Sequence, residues 1–153
     1  MKKLNEGIIR FFNNQPYTIV TTIDRNGSLH NSCKGIVDIS SNGKVYLLDL
    51  YKKNTYKNLK RNPRISITAV NEHKFIGYSL KGNARLLKKD ILKSHIMKSW
   101  ESKITKRISH RLIKNIQGEI GHSRHPEASL PKPEYLIVVD VKEIVNLTPG
   151  HIK

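Results

Sequence analysis

The stretch that most constrains the fold is residues 44–63, Lys-Val-Tyr-Leu-Leu-Asp-Leu-Tyr-Lys-Lys-Asn-Thr-Tyr-Lys-Asn-Leu-Lys-Arg-Asn-Pro. Its apolar opening, residues 45–50, reads as a buried strand. The chain then breaks at Lys52-Lys53-Asn54-Thr55 and resumes as a short helix that Pro63 stops. The first N–H groups of a helix have no intrahelical acceptor, point outward and carry partial positive charge. Lysines beside them add full charge, and Asn54 or Thr55 is placed to cap the helix. Such a corner is suited to hold a phosphate. The plain alternative is an ordinary capped loop with solvated lysines.

Around this unit the sequence reads mostly as strands. Leu4, Ile8, Ile9, Phe11 and Phe12 make a short amphipathic opening helix that needs a surface to dock on. Residues 17–23 are rich in β-branched side chains and predict a strand. Asn26-Gly27 and Asn42-Gly43 are hairpin turns, because such turns demand positive φ. Residues 29–34 return as a second strand. Gly35 marks a bulge or a close approach to the backbone, so residues 36–39 are either a third strand or the bent continuation of the second. In residues 64–70, Ile65, Ile67 and Ala69 alternate with polar neighbours, the period of a half-buried strand. Residues 75–87 predict a long strand, and residues 135–142 a central one followed by a short tail. Short antiparallel connections favour a barrel or sandwich over a parallel sheet.

Between them, Leu92, Ile96, Trp100, Ile104, Ile108, Leu112 and Ile116 recur every fourth residue, an apolar stripe over one or two helices beginning near Asp90. The other face is basic: residues 88–114 hold nine Lys or Arg against two acids, Asp90 and Glu101. A solvated helix face is the bland reading and a patch for an anionic partner the sharp one. Charge matters at the scale of the whole chain too, since a net +16 over 153 residues attracts polyanions and small anions alike. No zinc-finger, helix-turn-helix or RNA-recognition pattern accompanies it.

The length predicts one domain spanning residues 1–153. A single cysteine, Cys33, excludes an internal disulfide and reads as a small buried residue rather than a redox thiol. The absence of a long apolar run predicts no membrane span, and the N-terminus lacks a signal peptide, which points to the cytoplasm. His122 and His125, spaced three apart, are candidates to bind a metal with His110 or His95. They fall in a polar loop, residues 117–133, with only Glu119 and Glu127 nearby, so no metal site is expected. Nucleophile-elbow, dinucleotide-fold and phosphate-loop motifs do not occur.

Taken in order, these pieces resemble the FMN-binding split-barrel family that includes the pyridoxamine 5′-phosphate oxidases. The resemblance is carried by the Asp-x-Asn-Gly turn in residues 21–28, the strand pair turning at Asn42-Gly43 and the segment 53–63 with Asn58-Leu59-x-x-Asn62-Pro63. The strand 64–70 and Gly82-Asn83-Ala84, similar to the family's Gly-x-Ala, complete it. It covers residues 8–87 and the strand 135–142. It implies a mainly β fold with some α: a six-stranded antiparallel Greek-key split β-barrel with flanking helices. It also implies a homodimer with FMN at the subunit interface, and a loop 117–133 folded over the partner's flavin. The phosphate-binding positions map to Lys53, Asn54 and Thr55. Asn54 stands where relatives carry a lysine, so Lys52, Lys53 or Lys57 supplies the charge. The flavin ring maps against Ser32, Cys33, Lys34 and Gly35, with Leu48 and Asp49 across from it. Lys34 reads either as a ligand contact or as a strand-edge lysine, and Asp49 as a loop cap.

The C-terminus departs from the family. It ends Leu147-Thr-Pro-Gly-His-Ile-Lys153, without the Trp- and Arg-bearing segment of the vitamin oxidases, and the only Trp is at 100. The chain is therefore not expected to oxidise pyridoxamine phosphate. The expected activity is FMN-dependent transfer of hydride or electrons between a reduced nicotinamide and a small acceptor, with the flavin performing the chemistry. Two alternatives stand beside it: a non-catalytic flavin or haem carrier or sensor on the same barrel, and an anion- or nucleic-acid-binding module that uses the basic 88–114 face.

Overall fold

Strands β1 (Thr18–Ile23) and β2 (Leu29–Lys34) form the first hairpin, closed at Asn26-Gly27. The turn is fixed by Asp24, whose N–H donates to Ser28 O at 2.8 Å, and by Asn26 Oδ1, which accepts from Ser28 N at 3.1 Å. Gly27 and Gly43 sit at φ +87° and +86°, the left-handed region that favours glycine at such turns. After Gly35 the chain continues as β3 (Ile36–Ile39), turns at Gly43 and returns as β4 (Lys44–Asp49). The computed structural model describes residues 1–88, 94–119, 121 and 126–152.

Helix α2 (Asn54–Arg61) leads into β5 (Arg64–Asn71), which pairs with β6 (Ile76–Lys88). The long helix α3 (Ser94–Ile116) follows, and β7 (Tyr135–Asn146) closes the order. The sheet runs β2-β1-β5-β6-β7-β4-β3, antiparallel throughout. Its two edge strands, β2 and β3, are consecutive in sequence and joined only through Gly35. Counted as one bent strand they close a six-stranded split barrel, which is the predicted architecture.

The barrel core is filled by one face of each strand. Val20, Val45, Leu47, Ile67, Leu80, Ile137 and Val139 are fully excluded from solvent. Helix α1 (Glu6–Asn13) lays Ile8 and Phe12 against this core, and Leu4 just before it does the same. Asn5 caps α1 by accepting from Ile8 N at 2.9 Å. A second, smaller core forms where α3 covers the outer face of β3, β4 and β7. There Ile96 meets Val37, Leu48, Leu136 and Val138, with Trp100 packed alongside. Position 92 of the predicted stripe and the proposed helix start at 90 lie outside the described residues. Toward its C-terminal end the helix leaves Leu112, Ile113 and Ile116 exposed.

Two expectations are corrected. The last strand does not end at 142: its pairing with β6 continues to Asn146, past a register shift between Lys81 and Gly82. Lys142 and Glu143 made the segment look like a tail, but Glu143 faces solvent and pairs with Lys81 at 3.1 Å. Cys33 is exposed rather than buried, because the outward face of β2 carries no covering layer within this chain.

Candidate functional site

Helix α2 is set in place by the Asn-Leu-x-x-Asn-Pro segment. Asn58 is buried and donates to Thr22 Oγ1 at 3.1 Å and Asp24 Oδ1 at 2.7 Å, tying the helix to β1 and its turn. Leu59 enters the barrel core, and Asn62 Oδ1 accepts from Arg64 N at 3.1 Å as the chain turns into β5. Arg61 adds a bond to Ile23 O. The signature thus holds α2 against the barrel, and the start of the helix lines a cavity together with the end of β2.

The cavity has a volume of about 580 Å³, in the range of small-molecule sites. All nine positions singled out in the sequence line it. Ser32, Cys33, Lys34 and Gly35 come from the end of β2 and the bend after it. Leu48 and Asp49 come from the end of β4. Lys53, Asn54 and Thr55 come from the start of α2. The expected cap is not made: the N-cap residue is Lys53, no side chain caps the helix, and Thr55 instead shares a hydrogen bond with Ser32 at 3.1 Å. The Thr55 hydroxyl is thereby spent on β2 rather than on its own helix. The consequence is that the first N–H groups of α2 are not closed off by a capping side chain.

The charged groups divide into two walls and a floor. On the floor, Lys34 Nζ lies 2.8 Å from Asp49 Oδ2, with both side chains nearly buried. Tyr135 OH donates to the same carboxylate oxygen, and Tyr51 N donates to Asp49 Oδ1 at 3.3 Å. Asp49 thus caps the loop, as expected, and also neutralises Lys34. Burial, with the Asp49 hydrogen bond and charge behind it, pushes the Tyr135 phenol far above its ordinary range. One wall is Lys52, Lys53 and Lys57 around the start of α2. Lys52 pairs with Glu134 at 3.1 Å, and Lys53 sits over the Tyr51 ring at 5.4 Å.

The opposite wall is α3, which sequence reasoning had kept apart as a basic face. Trp100, Lys103, Ile104 and Arg107 line the cavity from that helix. Three side chains pin it to backbone carbonyls at and near the bend: Ser99 Oγ to Val37 O at 2.9 Å, Lys103 Nζ to Ile36 O at 2.6 Å, and Arg107 to Pro16 O. Gly35 is the close approach predicted for it, since a Cβ there would come within 2.8 Å of the Arg107 guanidinium. Tyr135 was also missed, its hydroxyl hidden in a strand read only for its apolar residues. Leu130, beyond α3, completes the lining. Among the described residues no group of three or more His, Cys, Asp or Glu is placed to hold a metal, and His122 and His125 lie outside those residues.

The chain is thus a split barrel with a cationic cavity where the start of α2 meets the bend between β2 and β3. The chain belongs to the pyridoxamine 5′-phosphate oxidase family, whose family model matches residues 4–147. No curated protein matches it. Among solved structures, tagged HupZ from Group A Streptococcus is 18% identical, covering 96% of this chain and 97% of its own, with a TM-score of 0.63. A Clostridium acetobutylicum protein related to general stress protein 26 of Bacillus subtilis, of the pyridoxinephosphate oxidase family, is 15% identical. It covers 98% of this chain and 100% of its own at a TM-score of 0.56. An F420 reductase is 14% identical, covering 93% and 98%, with a TM-score of 0.55. At these identities the similarity speaks for the fold. Among the described residues no helix is long and apolar enough to cross a membrane.

Proposed function

We propose that this chain binds FMN in the cavity between α2 and β2 and uses it for redox chemistry. The observation that carries the reading is the start of α2, which lines the cavity without a side-chain cap and is flanked by Lys52, Lys53 and Lys57. It is suited to a dianionic phosphate, for which peptide N–H groups and ammonium groups act together. Asn54 and Thr55 complete that end. Ser32, Cys33, Lys34, Gly35 and Leu48 form the surface for the ring, with Asp49 holding Lys34 beneath it. By the two-residue alternation of a strand, the Cys33 side chain points away from the face that carries Ser32 and Lys34, so its share is its main chain.

Bound flavin would supply hydride or electron transfer between a reduced nicotinamide and a small acceptor. The protein's part is to bind, orient and shield. The family membership and the F420 reductase among the structural neighbours both favour a flavin-type redox role. The homodimer belongs to the same proposal, supported by Ile19 and Leu29 exposed on the outward face of β1 and β2. A purely nucleic-acid-binding role for α3 is disfavoured by Lys103 and Arg107 turning into the cavity rather than outward.

Titration of the purified protein with FMN tests the reading. A red-shifted, quenched flavin spectrum is expected, followed by bleaching on addition of a reduced nicotinamide and recovery on addition of a quinone. A flavin that binds but is never reduced would support the carrier alternative.

A further inference from the structure

Among the described residues that line the cavity Asp49 is the only carboxylate, and it is held from three sides. Lys34 Nζ lies 2.8 Å from Oδ2, Tyr135 OH donates to that same oxygen, and Tyr51 N donates to Oδ1 at 3.3 Å. Tyr135 is itself fixed: it is buried, and its ring meets that of Tyr56 edge-on with 4.8 Å between centroids. Lys34 is anchored at its main chain, where Thr18 Oγ1 donates to its carbonyl at 3.0 Å. A carboxylate so restrained does not turn away when the charge in the cavity changes, so the pair acts as a fixed dipole.

Stability alone does not call for such a pair. Two apolar side chains of similar volume often serve a buried position as well. What they would not supply is a field at the cavity floor. That field matters where redox chemistry alters the charge above it. A hydride from a reduced nicotinamide brings two electrons and one proton to a flavin ring, and the donor leaves as its oxidised cation. The ring then holds one added negative charge until a second proton reaches it from water. A lone lysine beneath it would favour that charge strongly in a site of low dielectric. Asp49 offsets the lysine, and charge close to the ring is one of the means by which a protein tunes a flavin.

We propose that Asp49 sets the reduction potential of the bound flavin: by pinning and neutralising Lys34 it lowers that potential. The reduced protein is thereby a stronger reductant toward its acceptor. Asp49 is then a positioning residue, acting through Lys34. The inference rests on the flavin reading above, and its test separates the two.

The FMN-loaded protein is reduced slowly with dithionite beside a reference dye, at a mildly alkaline pH that keeps the second proton off the ring. The absorbances of flavin and dye give the midpoint potential. Asp49→Asn keeps the shape of the side chain and removes its charge. It is expected to shift the balance toward reduced flavin by about tenfold, a midpoint about 30 mV higher for a two-electron couple. Lys34→Met removes the opposite charge and is expected to shift the balance the other way. Lys34→Met with Asp49→Leu should return it to within about twofold of wild type, and Lys44→Met, at the other end of β4, should leave it unchanged. Near-ultraviolet circular dichroism checks that each variant is folded, and either single variant decides the matter if the other is not. An unchanged midpoint in Asp49→Asn or Lys34→Met, or shifts of the same sign in both, would overturn the proposal while leaving flavin binding intact. A wild-type protein that leaves the FMN spectrum unchanged would remove the flavin reading, and this inference with it.

Discussion

Lys34 Nζ and Asp49 Oδ2 lie 2.8 Å apart in the floor of the cavity, with side-chain exposures of 9% and 5%. One comes from the end of β2 and the other from the end of β4, so the pair joins the two sides of the barrel where the bent strand leaves the sheet. Removing one partner of a buried pair strands the other charge, at a cost of about 3–5 kcal/mol, whereas replacing both by apolar groups is often neutral. Asp49→Ala is therefore expected to lower unfolding stability by about 3 kcal/mol, and Lys34→Met with Asp49→Leu to recover most of it. A urea-denaturation double-mutant cycle measures this. Additive losses would show that the two charges do not depend on each other.

Tyr135 donates to the same carboxylate, and its phenol titrates well above the ordinary value of 10.0. The native state thus holds a proton that the unfolded chain releases above about pH 10. That stabilisation is fully present below the unfolded value and is lost as pH rises beyond it. Wild type should lose thermal stability between pH 9.5 and 11 more steeply than Tyr135→Phe, as read by parallel melts across that range. Parallel slopes in the two proteins would contradict the assignment.

Asn58 is buried 34 residues from its partner Asp24 and holds the start of α2 in register with β1. Asn58→Ala leaves Thr22 and Asp24 without their donor, for a loss of about 1–3 kcal/mol. It should also weaken FMN binding several-fold, because the helix start that meets the phosphate is no longer fixed. Chemical denaturation and flavin titration of the same sample check both. A destabilised variant with unchanged flavin affinity would separate the motif from the site.

Lys53 stands at the N-cap position and carries its ammonium to the cavity wall. Lys53→Gln should weaken FMN binding about tenfold at low salt, and by less as ionic strength rises, since screening removes the same attraction in wild type. Riboflavin, which lacks the phosphate, should bind both proteins equally. Isothermal titration with the two flavins distinguishes these outcomes.

How far the sequence leads depends on the range of the interaction being read. The strands were legible because Ile65, Ile67 and Ala69 alternate with polar neighbours, and the two Asn-Gly turns mark hairpins whose strands then pair as expected. The cavity corner was legible because helix, lysines and hydroxyls are contiguous at residues 52–57. What stayed hidden depends on long-range packing. Nothing local says that Lys103 bonds Ile36, 67 residues away, or that Tyr135 reaches Asp49, 86 residues away. The same holds for Cys33, whose exposure follows from which face of β2 is covered, and for Thr55, whose hydroxyl prefers Ser32 to its own helix.

The central claim, that the α2 corner takes the phosphate of a flavin mononucleotide, is tested most directly by a paired titration. FMN and riboflavin are added separately to the purified protein while flavin fluorescence is followed. The account predicts quenching by saturable binding of one FMN per chain, with riboflavin bound at least about tenfold more weakly for want of its phosphate contacts. Unquenched fluorescence with FMN, or equal affinity for the two flavins, would contradict it.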